Sequence, residues 1–246
     1  MGDDQMIVDC HVTVKGNDPY RREFSAEQIL RSMDEAGVDR AALIAECLPS
    51  RESNDLMYQV CVAATDRFIP FAHVVPTEGI LASLELTRAL SQLQCRGVKV
   101  HLGELDEIVH EQILAVSRRC AEARVPLMID IAGRLDIVAL LATETPDCNT
   151  IIAHLGSTTD ETLVDKTIAL AYEHASLYLE TSGSAVPWKL ASALQALGSD
   201  KIVWGSGGPL VHPAIELAKL RALRLDDEAF QRITCDNILG LVDAPR

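Results

Sequence analysis

The chain reads as an α/β protein, a (β/α)8 TIM barrel of one domain, on two observations. Eight short apolar runs recur along it, ending near His11, Glu46, His73, His101, Asp130, His154, Ser182 and Gly207, and a segment of helical spacing follows each. Its 246 residues match the roughly 250 of one such barrel, so a single domain over 1–246 is expected. In that fold the C-terminal strand ends line the active site, so the run ends double as a list of candidate site residues.

The elements follow in order. Residues 6–10 form the first strand, and the mostly polar stretch 12–23 reads as a loop at the barrel mouth. Ser25-Ala26-Glu27-Gln28 is a capping box, and Phe24 is placed to staple onto Ile29. Ile29, Leu30, Met33 and Ala36 then recur at helical spacing until Gly37 stops the helix. Strands are expected at 41–45, 68–74, 97–101, 126–131, 150–154, 176–181 and 201–206. Helices are expected at 54–66, 81–93, 113–123, 135–142, 165–173, 188–197, 212–223 and 228–239. A doubly wound open sheet needs a glycine-rich loop after its first strand, and Asp9-Cys10-His11-Val12-Thr13 is not one.

Composition narrows the partners. Thirty-six acids against 22 bases give a net charge of −14, which argues against nucleic acid and anionic membranes. No apolar run reaches the ~20 residues of a membrane span. The acidic opening MGDDQMIVDCH lacks the regions of a signal peptide, and the 7 cysteines form no C-x-x-C pair. A cytoplasmic protein with reduced thiols, acting on a small-molecule substrate, is expected; association into a homo-oligomer stays open.

In order along the chain, several motifs resemble those of the amidohydrolase-related family, metal-dependent barrel hydrolases and decarboxylases similar to aminocarboxymuconate semialdehyde decarboxylase. Asp9-Cys10-His11-Val12-Thr13 matches its Asp-x-His-x-His, and residues 33–39 resemble the end of its first helix. Asn54-Asp55 and Asp66-Arg67-Phe68 resemble its lead into strand three, and Gly97-Val98-Lys99-Val100-His101 its Gly-Ile-Lys-Leu-His. Ile152-Ala153-His154-Leu155-Gly156 resembles its strand-six histidine motif, residues 198–206 its lead into strand eight, and Asn237 its C-terminal asparagine.

The resemblance implies a metal held by both histidines of the first motif, a strand-five histidine and a strand-eight aspartate. Here the last three positions are Thr13, Asp130 and Gly207, and only His11 stands. A catalytic zinc needs about three protein ligands plus water. Glycine can neither hold a metal nor take a proton from that water, so the family's own hydrolytic mechanism lacks its parts. The strand-six histidine, an acid/base or second-metal residue in the family, is kept as His154.

Strand side chains alternate between faces with period two, so Asp9, His11 and Thr13 are expected on one face, as are Lys99 with His101, Met128 with Asp130, and Ile152 with His154. Three readings follow. His11, Asp130 and His154, with His101 as a fourth ligand, are the donor types of a rearranged site for one divalent metal: zinc, iron or manganese. Without metal, His154 oriented by Asp130 suits general acid–base catalysis, with Lys99 as a carboxylate anchor. In the third reading the histidines are merely hydrogen-bonded.

Further candidates for substrate binding are His101, Arg134, Ser182 and Trp188; Glu46 and Cys47 read as rim residues, and His73 as a satisfied barrel histidine. Trp204 is expected between barrel and helices. The leading function is a small-molecule hydrolase or C–C lyase with an altered or absent metal centre. The alternative is a non-catalytic barrel that binds a metabolite or a protein.

Overall fold

The computed structural model describes residues 5–15, 24–46, 48–105, 107, 109–185 and 187–244. Cys47 and most of the expected mouth loop lie outside them. Among the described residues eight strands alternate with helices: β1 (Val8–Val14), β2 (Arg40–Ala45), β3 (Phe68–His73), β4 (Gly97–His101), β5 (Leu127–Asp130), β6 (Thr150–Ile152), β7 (Leu177–Glu180) and β8 (Ile202–Val203). The helices are α1 (Ala26–Ala36), α2 (Ser50–Ala63), α3 (Ile80–Ser91), α4 (His110–Ala123), α5 (Leu135–Glu144), α6 (Glu161–Glu173), α7 (Pro187–Leu197), α8 (Pro213–Ala222), α9 (Asp227–Gln231) and α10 (Asn237–Val242). All strand pairs are parallel and follow chain order from β1 to β8. The Cys10 amide donates to the Trp204 carbonyl (3.1 Å) and the Thr13 amide to the Gly208 carbonyl (2.8 Å), which joins β1 to the segment after β8. This is the (β/α)8 TIM barrel that the sequence predicts.

Two apolar layers hold it. Residues such as Leu43, Val100, Ile129, Leu179 and Trp204 face outward and pack under the helices. Val8, Cys10, Ile44, Phe71, Met128 and Ile151 fill the interior, where Ile238, Leu241 and Val242 of α10 close one end. Both strand faces are buried, which is why the strands read as continuous apolar runs rather than alternating ones. Gly97 is required by this packing. Its register partner is Phe71, and a Cβ on Gly97 would lie 2.2 Å from the Phe71 ring.

Local chemistry sets the element ends. Ser25 accepts from the Gln28 amide while the Gln28 side chain accepts from the Ser25 amide, the reciprocal cap expected, and Gly37 closes α1 at φ 71°. Asn54 pins α2 to β3 by bonding both the amide and the carbonyl of His73. Asn237 ties α10 to β8 through the carbonyls of Ser199 and Ile202.

Three expectations are corrected. β1 continues through Val14, so its last residues belong to the sheet and not to a loop; Lys15 and Phe24 then pair across an antiparallel bridge. The register with β2 shifts between Asp9 and Val12, a bulge that puts one extra residue into β1. Asp9 therefore does not share the face of His11 and Thr13. β6 ends at Ile152, and the chain turns through His154 (φ 59°) and Leu155 (φ 54°) in left-handed conformation. Ile152 packs outward while His154 faces inward, so the period-two argument does not reach His154.

Candidate active site

At the C-terminal strand ends a cavity of about 390 Å³ is lined by His11, Thr13, Lys99, His101, Asp130 and His154, with Glu46, Ser182 and Gly207 beside them. Five of the site candidates thus meet with His11. Arg134 and Trp188 do not join them. Arg134 pairs with Asp136 at 2.8 and 2.6 Å on the outside of α5, and Trp188 is 58% exposed with its indole N–H on Glu161. His73 is buried behind the site, 3.3 Å from Glu104. A second cavity, of about 500 Å³, opens at the opposite strand ends beside Arg40, Arg96 and Asp243 and holds no histidine.

Glu180, at the end of β7, organises the site, and the sequence reading passed over it. It is fully buried, and its carboxylate accepts from His11 Nδ1 (3.2 Å), the His154 amide (3.1 Å), Ser182 Oγ (2.9 Å) and the Ser182 amide. Burial alone would raise its pKa; the hydrogen bonds from His11 and the His154 amide, with the charge favoured on His154, outweigh this and hold it down at about 2. The signal was available. A lone carboxylate in an apolar strand, two residues from inward Tyr178, belongs to the interior.

The tautomers follow from the acceptors. A carboxylate can only accept, so His11 carries its proton on Nδ1 and turns the Nε2 lone pair toward Lys99 Nζ, 3.3 Å away. Burial and the Lys99 charge lower the pKa of His11, which is therefore neutral. His154 Nδ1 lies 2.9 Å from the Ser182 carbonyl and Nε2 lies 3.4 Å from Asp130 Oδ2. Burial disfavours its charge, but the bond to Asp130 and the Glu180 charge prevail, and its pKa is raised. Asp130 also faces His101 at 3.3 Å; against its burial, His154 and Lys99 hold its carboxyl well below the usual range. Non-glycine residues in left-handed backbone, such as His154 and Leu155, store strain that their surroundings must hold. Here Glu180 and Ser182 hold it.

His11, His154 and Glu180 each offer one ligand atom, all within 4.8 Å of one another, a spacing that suits a single divalent metal. The carboxylate of this cluster is Glu180, where the sequence reading had placed Asp130. The hydrogen bonds point the other way. The His11 lone pair is directed at an ammonium, and Glu180 is occupied by four donors. As arranged, these residues do not fit a metal; Lys99 would first have to move.

The amidohydrolase family model matches residues 8–242. No curated protein matches the chain in sequence. Solved structures share its fold. 5-Carboxyvanillate decarboxylase from Sphingomonas paucimobilis aligns at TM-score 0.78 and 14% identity, covering 97% of this chain and 99% of that one. 2,6-Dihydroxybenzoate decarboxylase from Rhizobium aligns at TM-score 0.77 and 17% identity, with the same coverage. 5-Carboxyvanillate decarboxylase from Novosphingobium aromaticivorans, with bound manganese, aligns at 0.78 and 15%, covering 98% and 97%. The match over almost the whole barrel is decisive: the chain belongs to the amidohydrolase family.

Proposed function

We propose that the protein is a small-molecule hydrolase or C–C lyase that works by acid–base chemistry at His154, without the family's metal. The observation that carries this reading is the environment of His154. Its ring lies on the cavity wall with Nδ1 fixed by the Ser182 carbonyl and Nε2 against Asp130, which favours the protonated form. A histidine so held is a general acid. In a decarboxylation the C–C bond to the carboxylate breaks, its electron pair is left on the substrate carbon, and that carbon takes the His154 proton as carbon dioxide leaves. In a hydrolysis water adds at the scissile carbon as the bond to the leaving group breaks, the leaving group takes the His154 proton, and the proton lost by the water restores His154. Asp130 orients the ring and is not consumed.

The decarboxylases of like fold act on hydroxylated benzoates, which supports a small carboxylated substrate. The cavity wall that holds Thr13 and Gly207 is mixed, with Phe24, Leu210 and Val211 beside Ser182 and Ser206, and it is the convergence of His11, Lys99, His101, Asp130 and His154 on one cavity that favours an enzyme over a binding barrel. No helix among the described residues is long and apolar enough to cross a membrane.

A panel of hydroxybenzoates and related carboxylates, assayed for carbon dioxide release and for hydrolysis with chelator present, tests the proposal. Turnover that survives the chelator and is lost in His154→Gln is expected. Turnover that requires added manganese and persists in His154→Gln overturns it.

A further inference from the structure

Lys99 lies on the inward face of β4 and is completely buried, yet it lines the cavity. Burying an ammonium costs several kcal/mol unless acceptors surround it. Lys99 Nζ has His11 Nε2 at 3.3 Å and Glu46 Oε1 at 3.9 Å. The second distance is an ion pair and not a hydrogen bond. Glu46 Oε1 accordingly has no hydrogen-bond partner among the described residues. Among the described residues one of the three ammonium N–H groups is engaged, and donor capacity remains on the cavity side.

Its position is chemically specific. With its Nδ1–H donated in a hydrogen bond to Glu180, His11 has only Nε2 through which to bind a cation. The chain places its own cation there, and the carboxylates of Glu46 and Glu180 flank the pair, with Asp130 near enough to feel the Lys99 charge.

We infer that the Lys99 ammonium is the resident cation of this site, seated on His11 Nε2 in place of a metal, and that it binds the carboxylate of an anionic substrate. A tethered ammonium supplies a fixed positive charge for oxygen without the coordination chemistry of a metal. The inference rests on the metal-independent reading above, but its test involves no turnover.

Removing Lys99 should free His11 Nε2 and let His11, His154 and Glu180 take up a divalent ion more tightly than they do in the parent. Zinc and manganese titrations by calorimetry compare the parent with Lys99→Met, which keeps the stem volume, and with Lys99→Ala; thermal melts verify folding. Each folded variant is expected to bind one ion at least about tenfold more tightly than the parent. Adding His11→Ala to either should remove the gain. In 15N NMR spectra the His11 Nε2 signal should move when Lys99 is replaced, and this readout serves if one variant does not fold.

Stoichiometric zinc on the parent with the affinity of the variants would overturn the resident-cation assignment. So would an unmoved His11 signal. For the substrate half, salicylate is the probe. The parent should bind it at millimolar concentration, and Lys99→Met should lose about tenfold or more. No binding to the parent, or equal binding to the variant, overturns the carboxylate assignment. A metal-dependent activity that leaves the titrations as expected would refute the proposed mechanism alone.

Discussion

Protons at the cavity floor are partitioned by which side chain has an acceptor on which atom. His11 is held toward its neutral form and His154 toward its charged form although they are neighbours with ring centroids 5.2 Å apart. The difference is that Lys99 faces one and Asp130 the other. His154→Gln should therefore lower turnover by roughly 10²–10⁴-fold. Because the folded pKa of His154 lies above its ordinary 6.5, the stability it contributes is complete below pH ~6.5 and lost as pH rises through the folded value. The acid activity should fall over the same range. Steady-state rates and melting temperatures of parent and variant against pH check both.

Asp9 behaves in the opposite sense to its neighbouring carboxylates. Burial lifts its pKa to about 7 against the Ser206 side chain and the His11 and Ser206 amides, which favour the carboxylate, and the Glu180 charge adds to the rise. The folded state therefore holds the Asp9 proton more tightly than the unfolded chain does. Stability drains away as pH rises from about 4 to about 7, by up to roughly 4 kcal/mol. Asp9→Asn keeps the acceptor and has no proton to lose. Its stability relative to the parent should improve steadily across that window in urea titrations, and a constant difference would refute the assignment.

At the scale of elements, what the sequence revealed was what depends on burial and short-range chemistry. Strands buried on both faces read as apolar runs, and Ser25 and Gly37 marked the ends of α1 because capping is local. What it hid depends on interruptions of regular geometry. The bulge after Asp9 and the left-handed turn at His154 each reset the side-chain alternation, and neither has a residue signature. Glu180 was legible as an inward carboxylate, but its role was not, because that comes from two other segments, which bring His11 and His154 to it. Arg134 and Trp188 lie past the strand ends, where a nearby carboxylate captures each.

The segment after β8 shows how tightly the elements fit. A Cβ on Gly205 would stand 2.5 Å from Glu180 Oε1 and 2.9 Å from His11 Cβ. Glu180 cannot retreat without giving up its donors. Gly205→Ala should cost about 1–3 kcal/mol in a melt and disturb the His11–Glu180 contact, visible as a shifted His11 titration.

Seen as a whole, the barrel is a rigid frame in which strand ends are fixed by hydrogen bonds and by the interior layer under them, so side chains can be exchanged without rebuilding the fold. Thr13 on β1, Asp130 on β5 and Gly207 after β8 all line the one cavity. Thr13→His, Asp130→His and Gly207→Asp together rebuild the family's ligand set around His11. The hazard is Gly207, whose φ of +65° strains any side chain by about 1 kcal/mol. Space is not the obstacle, since a Cβ there would meet Ser182 Oγ at 3.5 Å, an ordinary contact. The triple variant should fold and bind zinc more tightly than the parent. Lys99 still faces His11 Nε2 in that variant and opposes the ion, so adding Lys99→Met should tighten binding further, by about tenfold or more. Calorimetric titration of the parent, triple and quadruple variants decides the order. A folded triple variant no better than the parent would mean that these three positions do not converge on His11, whereas equal triple and quadruple variants would mean that the ammonium is not what holds the metal off.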